Sequence, residues 1–285
     1  MKNYDVAVIG AGPAGLATTI YLQRSNLKVC LIERGAPGGR MLQAELITNY
    51  PGLTGSGVEI ASAMFAMLDF AKVELLVDEV TEITKPDDFL ITLKKDTIQA
   101  KKVVLATGFI NKPLANANES EFIGRGVSYC ALCDAPLVKG QTILCYGNGS
   151  KTIKEVKYLA TFAKHVYFMT EANIDDIPDN LEIIKGAKIN KFNGQFNLEN
   201  VEITKDGEAI NLNVTHAFIF NGFIPGTKIV EKLNITNKFG LIEVDDKLET
   251  KVKGMFAAGD VNTKDVKQVA TAVGDGAFIA SHLLR

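Results

Sequence analysis

At 285 residues the chain is long enough for two domains of ordinary size. Hydrophobic residues make up 47% and charged residues 22%, which excludes a disordered chain, and a net charge of −2 lacks the basic excess typical of nucleic-acid binders. No run approaches the ~18 uninterrupted apolar residues of a membrane span, and Met1–Gly10 carries Asp5 and no cleavage site, so the expectation is a cytoplasmic protein without leader or anchor.

Strand-like and helix-like patterns alternate along the chain, which predicts an α/β fold. Tyr4–Ile9 is a short β-rich run. It enters Gly10-Ala11-Gly12-Pro13-Ala14-Gly15, and a helical stretch follows to about Ser25. Lys28–Ile32 is the next strand and ends at Glu33. Gly10 permits a tight turn, Gly12 a close approach of backbone to pyrophosphate, and Gly15 close helix–strand packing. The pyrophosphate then meets the free N–H groups of a helix N-terminus. Glu33, about twenty residues on, stands where an acid binds ribose hydroxyls. Chance turn glycines are the competing reading, and the strand–turn–helix–strand–acid order argues against them.

Lys102–Ala106 is a further strand, followed by Thr107-Gly108. Pro113 with the polar stretch Asn116–Ser120 is one candidate domain crossing, and Phe239-Gly240 is the other. Between them lies Cys130-Ala131-Leu132-Cys133. The spacing suits a dithiol/disulfide couple. Half of a zinc site is an alternative, but it needs two more ligands at similar spacing. Cys30 and Cys145 sit singly in apolar runs, where they read as buried small hydrophobes, and His165, His216 and His282 are scattered. No metal site is therefore expected. Asp134, directly after the pair, reads either as an acid/base for thiol chemistry or as a cap or turn residue.

Thr142–Tyr146 opens a second strand–turn–helix unit through Gly147-Asn148-Gly149-Ser150-Lys151-Thr152, with a helix to about Phe162 and a closing strand Val166–Met169. The repetition predicts two Rossmann-like dinucleotide-binding folds. Gly254–Ala258 ends in Gly259-Asp260, and a helix rich in small residues runs to the C-terminus. The segment Phe256–Val261 reads as an acid delivered to a ligand edge, or as an ordinary turn.

Together these motifs resemble the low-molecular-weight thioredoxin reductase family over nearly the whole chain. Gly10–Gly15 is similar to the family's FAD pyrophosphate turn. Gly38-Gly39 and Asn49-Tyr50-Pro51-Gly52 resemble its flavin-side segment, and Ala106-Thr107-Gly108 its crossover signature. Gly126–Asp134 is close to its redox box, and Phe256–Val261 to its C-terminal FAD motif. Lys267-Gln268-Val269 stands where the family places an Arg-Gln-Ala element against the flavin. The resemblance implies FAD as cofactor, held by Gly10, Gly12, Pro13, Ala14, Gly15, Glu33, Arg34, Gly39, Arg40, Asn49, Ala106, Thr107, Gly108, Gly259, Asp260, Lys267, Gln268 and Val269. It implies Cys133 as the flavin-proximal thiol, Cys130 as the attacker of thioredoxin's disulfide and Asp134 as acid/base. It also implies a homodimer, with residues 1–112 and 240–285 binding FAD and 113–239 carrying the redox box on the second unit.

The second unit departs from the family pattern. Members that use NADPH carry a turn of the Gly-Gly-Gly-Asp-Ser-Ala type, whereas Thr152 replaces the last small residue here and is expected to crowd helix–strand packing. Where such members place arginines for the 2′-phosphate, this chain has Thr170-Glu171-Ala172. The resemblance is therefore strongest to the ferredoxin-dependent flavin thioredoxin reductases. A nicotinamide-dependent thioredoxin reductase and a dithiol oxidase stay open, as does a non-enzymatic flavin-bound sensor. Lys251, Lys253, Lys264 and Lys267 are candidate docking charges for an acidic ferredoxin.

Overall fold

A computed structural model describes residues 1–115 and 117–285; Asn116, at the head of one expected crossing, lies outside the described residues. The chain is α/β and carries two Rossmann-like sheets, as the alternation of patterns predicts.

The chain opens with β1 (Lys2–Ile9), α1 (Pro13–Leu22) and β2 (Val29–Glu33). α2 (Gly57–Phe65) and β3 (Val73–Val77) follow. A meander of β4 (Val80–Thr84), β5 (Phe89–Leu93) and β6 (Thr97–Leu105) comes next, then β7 (Phe109–Asn111). The next stretch holds β8 (Val127–Ser128), the short α3 (Ala131–Asp134), β9 (Thr142–Gly147), α4 (Ser150–Ala160) and β10 (His165–Met169). It continues with β11 (Leu181–Ile184), β12 (Ala187–Asn193), β13 (Asn200–Lys205), β14 (Glu208–Asn213), β15 (His216–Phe220) and β16 (Phe223–Pro225). β17 (Met255–Ala257) and α5 (Val269–Leu283) complete the chain.

Two compact units emerge. The first comprises residues 1–42, 50–110 and 224–285; the second comprises 43–49 and 111–223. In the first, a seven-stranded sheet runs β3-β2-β1-β6-β5-β4, with β17 also on β6. β6 pairs parallel with β1 along one edge; along the other, its first half pairs antiparallel with β5 and its last three residues pair parallel with β17. The strands around β1 are parallel, as the right-handed β1-α1-β2 crossover requires. They read as nearly continuous apolar runs because both faces are covered: Val6–Ile9, Val29–Ile32 and Val103–Leu105 are all buried.

In the second unit a five-stranded parallel sheet runs β11-β10-β9-β15-β8, beside the antiparallel β12-β13-β14. Alternate residues of β9 face two cores. Ile143 and Cys145 join Val156, Leu159 and Phe168; Leu144 joins Phe192, Val201 and Ile219.

The second crossing falls at 223/224 rather than at the expected 239/240. Val230 and Ile235 are buried in the first unit's core with Ile83 and Ile242, so the segment before Gly240 belongs there. The crossing expected at 112/113 falls at 110/111, and residues 43–49, expected within the first stretch, belong to the second unit.

Candidate active site

Register brings the motifs of the first unit together. Ile9 is paired with Ile32 and with Leu105, and Leu105 with Ala257. The carboxyl ends of β2, β1, β6 and β17 are therefore level. Glu33, Gly10–Gly15, Ala106–Gly108 and Ala258–Asp260 leave the sheet at one edge, the place where open α/β sheets bind ligands. Backbone bonds extend that alignment one residue further: Gly10 N–H donates to Ile32 O at 2.8 Å, Ala106 N–H to Ile9 O at 2.8 Å, and Ala258 N–H to Leu105 O at 2.9 Å.

The turn itself is built around glycines that admit no substituent. Gly10 has φ +99°, and a Cβ there would lie 2.5 Å from Ala106 O. A Cβ on Gly15 would lie 1.8 Å from Gly10 O. A Cβ on Gly12 would meet no heavy atom within 4 Å, so that backbone is open to close approach. α1 starts with Pro13, has no side-chain cap and no acid in its first turn, and so turns a bare positive dipole end toward this edge. Glu33 braces the turn, accepting from Ala11 N–H at 2.7 Å and from Gly35 N–H at 2.8 Å.

The residues present fit a dinucleotide. Among the described residues the Thr107 hydroxyl, next to the Gly10 turn, is a buried polar atom without a hydrogen-bond partner; such groups are rare unless something satisfies them. The C-terminal motif is packed against the same helix. A Cβ on Gly276 of α5 would lie 2.3 Å from Ala14 O, and one on Gly259 would lie 3.0 Å from Ala14 Cβ. Arg40 stacks over the Phe109 ring at 4.1 Å and stands 4.0 Å from Asp260. Burial pushes the Asp260 carboxyl up, while Arg40 and Lys267 draw it down. Gln268 caps α5 reciprocally with Thr271, and Val269 is its first residue.

Asp275 is a member of this group that the sequence reading missed. It is 6% exposed, and its carboxylate accepts from Gly259 N–H at 3.1 Å, Asn262 Nδ2 at 2.9 Å and Lys264 Nζ at 2.6 Å. It thereby holds the turn that presents Asp260. An acid between Gly274 and Gly276, within an otherwise apolar helix face, was the available signal.

Four expected residues have other partners or belong to the other unit. Arg34 is exposed and paired with Glu79 at 3.4 Å. Asn49 belongs to the second unit. Lys264 and Lys267 donate to Asp275 and to Asn262 O, both at 2.6 Å. Of the docking lysines, Lys251, Lys253 and Lys264 are exposed and Lys267 is half-buried.

In the second unit, Cys130 and Cys133 are bonded to one another with Cα atoms 5.3 Å apart. β8, paired parallel to β15, delivers Ser128 and then Cys130 to the start of α3. Cys133 N–H points at Cys130 Sγ at 3.2 Å, a donor that favours a thiolate on Cys130 once the bond opens. Leu132, between the two sulfurs in sequence, is 54% exposed. Asp134 does not act as a cap: it starts a 3₁₀ turn, yet its side chain makes no capping bond. It is buried, with Oδ1 unpartnered among the described residues, and burial raises its pKa to about 6; Ser128 opposes this and Glu45 adds to it.

Cys30 and Cys145 are fully buried free thiols, and burial pushes both pKa values up. Replacing either by Ala is expected to leave disulfide chemistry unchanged, as followed by thiol release from a small aromatic disulfide. A severe loss in a folded variant would assign that thiol a role.

The second Gly-rich turn is closed on its own strand. Asn148 Oδ1 accepts from Thr170 Oγ1 at 2.9 Å and from Glu171 N–H at 2.8 Å. Glu171, at the place matching Glu33, does not reach back to its turn; its carboxylate accepts from Gly186 N–H at 2.8 Å. Thr152 does not crowd the unit as expected. Its hydroxyl donates to Asn148 O at 2.9 Å, which turns it along the helix, and α4 stays packed with Val156 and Leu159 buried.

A family model described as pyridine nucleotide-disulphide oxidoreductase matches residues 4–276. The thioredoxin reductase of Bacillus subtilis (strain 168) is 35% identical over 294 residues, covering 98% of this chain and 93% of that protein. The crystal structure of thioredoxin reductase from Streptococcus pyogenes MGAS5005 superposes with a TM-score of 0.93 at 35% identity, covering 99% and 97% of the two chains. A ferredoxin-flavin thioredoxin reductase from Clostridium acetobutylicum superposes with a TM-score of 0.56 at 31% identity, covering 100% and 98%.

Proposed function

The chain belongs to the thioredoxin reductases of the pyridine nucleotide-disulphide oxidoreductase family, which are FAD-dependent, and on that premise we propose that it reduces the disulfide of thioredoxin with electrons drawn from reduced ferredoxin. The Gly10–Gly15 turn, Glu33, Thr107 and Asp260 would hold FAD, which when bound would supply the electron pair. Opening the Cys130–Cys133 bond takes up two electrons and two protons and yields two thiols. Asp134 is the acid that carries a proton to the sulfurs and later removes one. Cys130, as thiolate, attacks one sulfur of thioredoxin; that disulfide breaks, and the departing sulfur takes the proton. Cys133 then attacks Cys130, the internal bond re-forms, and thioredoxin leaves as a dithiol. The N–H of Cys133 aimed at Cys130 Sγ supports this order of the two sulfurs.

The donor follows from the second unit. The observation that carries it is Asn148, which ties the turn to the Thr170–Glu171 corner while Glu171 is engaged with Gly186. No arginine stands at that corner, and Glu171 repels a phosphate. A missing charged hydrogen bond to phosphate costs about 1.5–3 kcal/mol, or about 10–150-fold in affinity. A one-electron carrier needs no such site. Lys251 and Lys253 offer an acidic partner exposed positive charge, which salt screens. In the same reading the enzyme is a cytoplasmic homodimer.

The likeness to the Streptococcus pyogenes and Bacillus subtilis enzymes, named simply thioredoxin reductases, favours a second reading with a nicotinamide donor. Within it, Glu171 makes NADH the better fit, since an acid there binds ribose hydroxyls. The discriminating assay supplies thioredoxin and enzyme, without oxygen, with NADPH, NADH or photoreduced ferredoxin in parallel. Rapid turnover is expected with ferredoxin alone. Rapid turnover with either nucleotide selects the second reading.

A further inference from the structure

Phe109 has no assigned task, yet it stands at the dinucleotide edge of the first unit. It directly follows Ala106-Thr107-Gly108 at the end of β6 and begins β7, which pairs with β16. A second segment reaches the same corner from the loop after β2. There Gly38 N–H donates to Ala11 O at 2.7 Å, and a Cβ on Gly39 would lie 3.2 Å from Gly12 Cα. The backbone that carries Arg40 is thus fixed on the Gly-rich turn. The Arg40 guanidinium lies 4.1 Å from the centre of the Phe109 ring and 4.0 Å from Asp260 Oδ2. The two charged side chains are 26% and 20% exposed, so water screens the pair less than it would a surface pair. A stack on an aromatic ring engages the face of a guanidinium and leaves its in-plane N–H groups to anions. At 4.0 Å the contact with Asp260 is an ion pair and not a hydrogen bond, so Asp260 does not close Arg40 into a bidentate pair.

We propose that Phe109 is a positioning residue for FAD: its ring holds the Arg40 guanidinium beside Asp260, where Arg40 is the counter-charge that lets this carboxylate and the cofactor's diphosphate share one edge. The assignment rests on the FAD site described above and is independent of the electron donor. Two anions meet at that edge. The diphosphate brings negative charge to the Gly10–Gly15 turn, and Asp260 leaves β17 level with the same strand ends. Lys267 also acts on Asp260, but its ammonium is engaged by the Asn262 carbonyl at 2.6 Å. Arg40 is the cation that a ring holds in place. A long arginine side chain loses rotamer freedom when it is pinned by a ligand. Phe109 removes part of that freedom beforehand, so less is lost when the cofactor binds. The contribution of the ring therefore passes through Arg40.

The test is a double-mutant cycle read as the FAD dissociation constant. Free FAD is separated by ultrafiltration from the FAD-loaded full chain at falling protein concentrations. Phe109→Ala should weaken FAD binding about 2–30-fold, the range of one cation–π contact. Phe109→Tyr keeps the ring and should stay near the parent. Arg40→Gln should weaken binding on the order of 10-fold or more, the scale of an uncompensated like charge nearby. In the Arg40→Gln background Phe109→Ala should add little, because the cation that the ring holds is gone. Arg40→Gln with Asp260→Asn should bind FAD better than Arg40→Gln alone, because the repelling carboxylate is gone as well. Should Phe109→Ala not fold, Phe109→Leu, apolar but without a π face, carries the same expectations. No loss in the parent, or an equal loss in both backgrounds, overturns the assignment of Phe109. A further loss on adding Asp260→Asn overturns the counter-charge given to Arg40. The measurement uses neither electron donor nor thioredoxin, so its failure and a failure of the proposed function are told apart.

Discussion

Cys130→Ser and Cys133→Ser are each expected to abolish thioredoxin reduction, by on the order of 10⁴-fold or more, the scale of losing a nucleophile, while FAD stays bound. The two sulfurs form one bond, so one serine removes the whole couple. A hydroxyl neither forms that bond nor ionises near neutral pH. FAD retention follows from the fold. The Gly10–Gly15 turn, Glu33, Thr107 and Asp260, proposed to hold it, belong to the first unit and both cysteines to the second, so neither substitution replaces a residue proposed to hold FAD. The pair of variants also tests the order of the sulfurs. In Cys130→Ser the remaining thiol is Cys133, assigned to the flavin side, and its thiolate should add a broad long-wavelength absorbance to the FAD spectrum. Cys133→Ser should lack that band. The opposite pattern would exchange the two roles, and FAD loss in both would tie the box to cofactor binding.

What could be read from the chain alone was punctuation. Gly10–Gly15 and Gly147–Thr152 each interrupt an apolar run and open a helix, so the two βαβ units are legible from local spacing. The Cys130–Cys133 spacing is legible for the same reason. Pairing between distant strands was not. Nothing local to Ile9, Leu105 or Ala257 announces that they stand side by side, yet that register is what turns four separate motifs into one edge. The antiparallel strands β4–β5 and β12–β14 are half-exposed and polar on one face, so their apolar pattern is weak and passed unread. Thr152 was read by size alone. Its hydroxyl finds Asn148 O, a local bond that lets a β-branched residue sit in the first turn of α4. Asp275 escaped because it acts by holding another residue, and its partners appear only once the chain is folded.

Asp134→Asn is expected to slow exchange by ~10²–10⁴-fold, the range for losing a positioned acid/base, and at the same time to stabilise the fold at neutral pH. Both effects come from one cause. Burial raises the Asp134 pKa from the ordinary 3.8 to about 6, with Glu45 adding to the rise and Ser128 opposing it. A carboxyl in that range can still supply a proton near neutral pH, and Asn cannot. The raised value means that the folded state binds the proton more tightly than the unfolded state. The stability it contributes is therefore full below pH 3.8 and is lost as pH rises to about 6 and beyond. Above that pH the parent chain keeps a charge buried at a cost that Asn does not carry. A gain of roughly 1–3 kcal/mol is expected at pH 8 and little at pH 3.5, read from urea unfolding of the FAD-loaded proteins. Reduction of the disulfide takes up two protons, one of them carried by Asp134, so the parent's rate for that step should fall as pH rises through about 6, a dependence that Asn erases. A variant that is slower and also less stable at every pH would show a carboxyl kept for packing; near-normal turnover would make Asp134 an ordinary turn residue.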